Sequence, residues 1–289
     1  MPELPEVESV RRGLEDLVQG FTVREVNVFD ERSIRRNKGT IFDFKEELIG
    51  SRLSKFIRRG KFLWVPLKDD RCLVAHLGMS GQILVKSPGE AKHPCERLSL
   101  SVCSGNRQLE IRFVDQRLFG GLFLDELISK DSDLSVPKSV GHIALDPLDR
   151  NFEIEKVASK ILSRSAGIKS LLLNQSIVSG IGNIYADEIL WLTRLHYLSP
   201  GKSLSRLKVR QILRSAREIL GKAVELGGTS FDTQYRNVNG ESGKFSSSLN
   251  AYGRDGMPCS RCSFRIVRDP WLNRGSHFCP KCQVLKSAR

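Results

Sequence analysis

From Phe21 to about Leu127 the apolar residues of this chain recur at every second position, and beyond Asn151 they recur at helical spacing. A period of two lays one side of an extended run against a core, whereas a period near 3.6 makes an amphipathic helix. The switch predicts two differently built halves. In the first, Lys61 to Leu67, Cys72 to Leu77, Gln82 to Val85, Leu98 to Cys103 and Leu109 to Val114 read as strands, with Ser104-Gly105-Asn106 as a hairpin turn. Val7, Val10, Leu14 and Leu17 share one face of a leading helix that stops at Gly20. In the second half Val209, Ile212, Leu213, Ala216, Ile219, Leu220 and Ala223 form an apolar stripe halted by Gly227-Gly228. The polar, weakly periodic run from Ser129 to Asn151 is expected to link the halves. The fold class is α+β: a β-sandwich or barrel led by one helix, then a helical domain.

Lys and Arg total 46 against 33 Asp and Glu, a net charge of +13 over 289 residues. That excess suits a polyanion, of which nucleic acid is the commonest. No apolar run approaches the roughly 20 residues of a membrane span, and no basic amphipathic helix points to a membrane surface. The acidic start lacks the pattern of a secretion signal, so the expected location is the cytoplasm. Cys72, Cys95 and Cys103 lie in apolar stretches and are expected to be small buried hydrophobes in a reducing compartment.

The other four cysteines form two Cys-x-x-Cys knuckles, Cys259/Cys262 and Cys279/Cys282, separated by sixteen residues. Each knuckle can place two thiolates on one metal, and the interval suits a β-hairpin. Four thiolates with no open position describe a closed, structural Zn2+ site. Two disulfides, or one redox pair, are the rival uses. Arg261, Arg265, Arg268, Arg274 and Lys281, with Phe264, Trp271 and Phe278 between them, make this segment a basic hairpin able to face phosphate.

The chain opens Met1-Pro2-Glu3-Leu4-Pro5-Glu6-Val7-Glu8. Removal of Met1 would expose a secondary amine with a pKa near ~8, nucleophilic at physiological pH without burial. Attack by such an amine on a carbonyl-like carbon gives an iminium, an electron sink for later elimination. Glu3 beside it offers a carboxyl group for proton transfer. Taken alone, these residues equally describe an ordinary helix start.

Together these features resemble the formamidopyrimidine-DNA glycosylases, bifunctional repair enzymes that excise oxidised purines. The resemblance runs nearly end to end. It rests on Pro2-Glu3-Leu4-Pro5-Glu6-Val7-Glu8, Arg58-Arg59-Gly60-Lys61, His76-Leu77-Gly78-Met79-Ser80-Gly81 and Asp115-Gln116-Arg117-Leu118-Phe119-Gly120. It continues through Gly180-Ile181-Gly182-Asn183-Ile184-Tyr185-Ala186-Asp187-Glu188 and Tyr252-Gly253-Arg254 into the knuckles. The resemblance implies Pro2 as nucleophile at C1′, Glu3 in proton handling at the ribose ring oxygen, and Lys61, Asn183, Tyr185 and Arg274 on the phosphates flanking the lesion. Met79, Arg117 and Phe119 would fill the stack when the damaged nucleotide is extruded. On composition alone Met79 and Phe119 would pass for core residues, but the neighbouring glycines argue for exposed turns. His93 stands where the family has a DNA-contacting, His-rich strand entry.

The resemblance divides the chain into a catalytic β-sandwich at 1–135, a linker at 136–150, a helix–two-turn–helix domain with a lesion-binding loop at 151–248, and a zinc finger at 249–289. It implies a monomer in the bacterial cytoplasm, associated with the nucleoid, acting on double-stranded DNA that contains oxidised purines or abasic sites. The chain departs from the family pattern at 92–97, at Asn174, at a lengthened His196-Tyr197-Leu198-Ser199-Pro200, and at Asp269-Pro270-Trp271. Two other readings stand: the endonuclease VIII branch, which removes oxidised pyrimidines, and a catalytically silent zinc-dependent DNA-binding protein. Leu4 and the complete Met79/Arg117/Phe119 set favour the purine branch; retention of Pro2, Glu3 and Lys61 speaks against the silent one.

Overall fold

Alternating residues of the first half do pair into strands, as a computed structural model that describes residues 2–131, 134–229, 238, 240 and 242–285 makes plain. The chain divides into two units, Met1–His142 with Gly227–Gly243, and Ile143–Leu226 with Lys244–Arg289. The first unit begins with helix α1 (Leu4–Val18), whose Pro5 lies in the first turn, where a missing N–H costs nothing. Its strands are β1 (Thr22–Val28), β2 (Ile57–Arg59), β3 (Phe62–Pro66), β4 (Arg71–His76), β5 (Gly81–Lys86), β6 (Glu96–Ser104), β7 (Arg107–Asp115), β8 (Gly121–Asp131) and β9 (Leu134–Pro137), with helix α2 (Ile41–Leu48) between β1 and β2.

They form two antiparallel sheets, ordered β1-β6-β7-β5 and β2-β3-β4-β8-β9. Alternation sends Val23, Val26, Leu98, Leu100, Ile111 and Phe113 from one sheet into a shared core with Leu63, Val65, Leu73, Leu122 and Leu124 from the other. Val7, Val10, Leu14 and Val18 of α1 join the same core. Each such side chain contributes about 1.5–3 kcal/mol relative to exposure, which is what holds the two layers together.

Two expectations need correction. The run from Ser129 is not all linker, because β9 pairs with β8 (Ile128 opposite Val136) and both Val136 and Val140 are fully buried. A strand of four residues is too short to display its period. Of the three scattered cysteines Cys72 is buried, but Cys95 and Cys103 are half-exposed, and Cys103 accepts a hydrogen bond from Arg24.

Gly227–Gly243 groups with the first unit rather than with the helix that precedes it. Val238 is buried in the sandwich core, its carbonyl accepts from Val85 N at 3.1 Å, and it lies where a Cβ on Gly13 would collide with it. Of the lesion-binding loop expected within 151–248, residues 230–237, 239 and 241 lie outside the described residues.

The second unit holds α3 (Ile154–Leu162), α4 (Ile168–Leu173), α5 (Asn183–Leu192), α6 (Arg206–Glu225) and the hairpin β10 (Val267–Trp271) and β11 (Arg274–Phe278). Ser205 caps α6 by accepting from Lys208 N, and the helix ends ahead of Gly227 and Gly228, both at positive φ (75° and 81°). Among the described residues no helix is long and apolar enough to cross a membrane.

Candidate active site and nucleic-acid interface

Pro2 and Glu3 are buried immediately ahead of α1. Glu3 is the helix N-cap, and its N–H donates to Glu6 Oε2 at 2.8 Å. Glu6 is itself 1% exposed, and its Oε1 accepts from Thr229 N at 2.7 Å and from Thr229 Oγ1 at 3.0 Å. Gly228 (φ +81°) approaches so closely that a Cβ there would sit 2.6 Å from Glu6 Oε1. One buried carboxylate therefore fixes both the Glu3 backbone and the start of the Thr229 segment.

Lys61 sits in the two-residue turn between β2 and β3, whose first residue, Gly60, takes a left-handed φ of 57°. Arg58 holds that turn: it donates to Gly60 O at 3.0 Å and to Glu8 of α1 at 2.9 Å. Burial alone would raise the Glu8 carboxyl, but hydrogen bonds and charge from Arg11 and Arg58 outweigh it and bring it down to about 2. His76, opposite Phe62 in the register, is pushed down to about 4, by burial first and then by the charges of Arg36 and Lys61. Its Nδ1 accepts from Gly78 N at 3.2 Å, which suits a neutral ring.

Met79 (43% exposed), Arg117 and Phe119 (49% exposed) stand on two neighbouring loops, so the core reading of the two apolar residues does not hold. The loops are locked by Asp115, which is fully buried. It accepts from Ser80 Oγ at 2.5 Å, Arg117 N at 3.1 Å and Gly120 N at 2.8 Å. Gly78 (φ +61°) lies so close that a Cβ would come 2.4 Å from Gly120 N. His93 is exposed in the turn before β6, its Nδ1 accepting from Cys95 N at 3.0 Å.

In the second unit Asn183 begins α5, and its amide donates to Gly275 O at 3.0 Å; its Oδ1 has no partner among the described residues. Arg274 is exposed at the start of β11, beside that same Gly275. Lys169, fully buried, donates to Gly275 O and Ser276 Oγ and lies 2.6 Å from Asp187. Asp187 also accepts from His277 N at 2.9 Å. The hairpin is thus docked on α4 and α5 through a buried ion pair, and removing either charge would strand the other. Tyr185 does not join Asn183 on the surface. Its side chain is fully buried, the ring 5.7 Å from that of Phe245.

The two segments of this unit read from sequence as departures, 196–200 and 269–271, meet. Tyr197 donates to Asp269 at 3.0 Å, and its ring meets Trp271 edge-on at 6.2 Å. Burial, followed by the Asp269 carboxylate, pushes the Tyr197 phenol up to about 12, so it remains a donor. The sulfurs of Cys259, Cys262, Cys279 and Cys282 all lie within 4.8 Å of one another, close enough for all four to reach one metal ion. Trp191 of α5 donates to Cys259 Sγ at 3.4 Å.

Glu6, Glu8, Lys169 and Asp187 were not singled out from sequence. For Lys169 a signal existed, a lone charge in the apolar run Ile168 to Leu173; for the rest the partner that matters to the site, Thr229, Arg58 or His277, lies far away in the chain.

A β-sandwich with exposed apolar probes, joined to a helical unit carrying a basic four-cysteine hairpin, defines a DNA-processing protein. The family model for the formamidopyrimidine-DNA glycosylase N-terminal domain matches residues 1–122, and that for the H2TH domain of the same enzymes matches 143–235. The formamidopyrimidine-DNA glycosylase of Leifsonia xyli is 48% identical across 98% of this chain and 99% of its own, and that of Streptomyces coelicolor 49% across 98% of each. Among solved structures, a point mutant of the Lactococcus lactis Fpg in complex with Fapy-dG DNA superposes with a TM-score of 0.86 at 31% identity, covering 98% of this chain and 100% of that one. The MutM (Fpg) protein of Thermus thermophilus gives 0.81 at 36%, covering 98% of each. The chain belongs to the formamidopyrimidine-DNA glycosylase family. It is a DNA repair enzyme, a glycosylase with abasic-site lyase activity, and its partner is DNA.

Proposed function

We propose that this enzyme excises oxidised purines, 8-oxoguanine and formamidopyrimidines, from duplex DNA and cleaves the resulting abasic strand by β,δ-elimination. Pro2, once Met1 is removed, attacks C1′; the C1′–N bond breaks and the base leaves with the electron pair. Glu3 delivers a proton to the ribose ring oxygen as the ring opens to the iminium. The cation acidifies the neighbouring C–H, whose loss expels the 3′ phosphate, and a second elimination expels the 5′ phosphate. Lys61, Asn183 and Arg274 hold phosphates, Met79, Arg117 and Phe119 occupy the emptied stack, and His93 lies at the edge of the DNA track. Cys259, Cys262, Cys279 and Cys282 would hold one structural zinc ion, which organises the hairpin and takes no part in the chemistry. The enzyme works in the cytoplasm on chromosomal DNA.

The observation that supports this reading is the tie from Glu8 through Arg58 to the Gly60 carbonyl, which joins the turn carrying Lys61 to the helix that follows Pro2 and Glu3. The test is borohydride trapping on duplexes bearing 8-oxoguanine, a formamidopyrimidine or thymine glycol. We expect an adduct at the N-terminal peptide on the two purine lesions, with Met1 absent by mass spectrometry. An adduct at a lysine, or full activity with Met1 retained, defeats the mechanism. Strongest turnover on thymine glycol would move the enzyme to the pyrimidine branch.

A further inference from the structure

We propose that Arg35 is a positioning residue for Phe119, a role that rests on reading Phe119 as the wedge that replaces an extruded nucleotide. Arg35 follows the 3-10 turn Glu31–Ile34 and spends its guanidinium fork on two consecutive carbonyls, Leu118 O at 2.5 Å and Phe119 O at 3.1 Å. Those carbonyls need a partner. Leu118 has a φ of 56°, a left-handed conformation that costs a non-glycine residue about 1–2 kcal/mol. The loop is therefore held in place by its surroundings rather than by its own preference.

The clamp has two jaws. From inside, the buried Asp115 fixes the N–H groups of Arg117 and Gly120. From outside, Arg35 fixes the C=O groups of Leu118 and Phe119. Arg35 is itself well placed for this. The carbonyl of Ser33 lies where a Cβ on Gly121 would come within 2.4 Å, and Asn37 Oδ1 accepts from Leu124 N at 3.0 Å, so the segment on either side is seated along β8. An arginine kept for phosphate would leave its fork free for oxygens of the ligand, whereas this one is committed to the loop backbone.

The test compares Arg35→Ala, Arg35→Gln, Arg35→Lys and Phe119→Ala in the full enzyme, each checked for wild-type melting. Two activities are measured, lesion excision from duplex and cleavage of an unpaired abasic strand, together with the salt dependence of duplex affinity. We expect Arg35→Ala and Arg35→Gln to slow duplex excision about tenfold, as misplacement of a positioned group does. Cleavage of the unpaired strand should stay within about twofold, since no stack needs replacing there. Arg35→Lys, which keeps the charge but loses the fork, should not restore excision, and adding Arg35→Ala to Phe119→Ala should cost nothing more. Equal loss on both substrates, or rescue by lysine with a matching change in salt dependence, would make Arg35 an ordinary cation and overturn the inference. A duplex-specific loss for Phe119→Ala without one for Arg35→Ala removes the Arg35 role alone. No duplex-specific loss for Phe119→Ala removes the wedge reading, and the Arg35 role with it.

Discussion

Arg58 bridges Glu8 and the Lys61 turn with one side chain, donating 2.9 Å to the carboxylate and 3.0 Å to the carbonyl of Gly60. The helix that follows the proposed nucleophile and the turn that carries the proposed catalytic lysine are thereby tied by one side chain. The geometry of two functional groups depends on a residue that touches neither the base nor the sugar in the proposed reaction.

The link carries a pH signature. Glu8 falls from 4.5 to about 2 on folding, so its contribution to stability is complete above 4.5 and disappears as pH drops through about 2. Glu8→Gln should cost about 2 kcal/mol at neutral pH and much less at pH 2, measured by urea unfolding. A constant deficit across that range would mean that the charge is not what stabilises the helix.

Cys279→Ser should release the metal and abolish DNA binding while the β-sandwich stays folded, because the hairpin has little core of its own. Metal analysis, circular dichroism and a binding assay read the three outcomes. Cleanly purified wild-type protein without zinc would contradict the assignment.

Phe119→Ala should slow excision from duplex by the equivalent of a few kcal/mol, the cost of an unstacked step left empty. An unpaired abasic substrate should feel much less. Equal losses would return Phe119 to loop packing.

Arg274→Ala should weaken DNA binding and flatten the log–log salt slope by about one unit, because one phosphate contact and its released counterion are gone. Excision should fall alike on every lesion, since phosphates carry no base identity. Lys61→Ala should instead impair base excision more than cleavage of a preformed abasic site. A parallel fall in both activities, matched by lost affinity, would make Lys61 a generic phosphate contact.

Features written in local spacing were legible in the sequence: the alternating strands, the α6 stripe and its stop at Gly227-Gly228, the Gly105 turn and the cysteine knuckles. Elements stabilised from a distance were not. β9 is a short strand whose pairing with β8 no local pattern announces. Tyr185 carries a motif that suggests a surface role, yet Phe245, sixty residues on, helps to bury it. The acceptors that shape the site, Glu6 for Thr229 and Asp187 for His277, work across 223 and 90 residues. Such pairs have no period, so only the folded chain reveals them. The exposure of Met79 and Phe119 lay between the two cases, foretold by their glycines and not by their own chemistry.

The contact between Tyr197 and Asp269 changes how divergence in this family should be counted. Taken one position at a time, the 196–200 turn and the Asp269-Pro270-Trp271 strand would count as two separate departures from the pattern that the resemblance implies. They are two halves of one joint, a phenol and a carboxylate bonded to each other with an indole against the ring. Grafting either half alone into a relative would leave a hydroxyl or carboxylate without its mate, whereas grafting both should be tolerated. A change in one half is therefore expected to hold only with a matching change in the other.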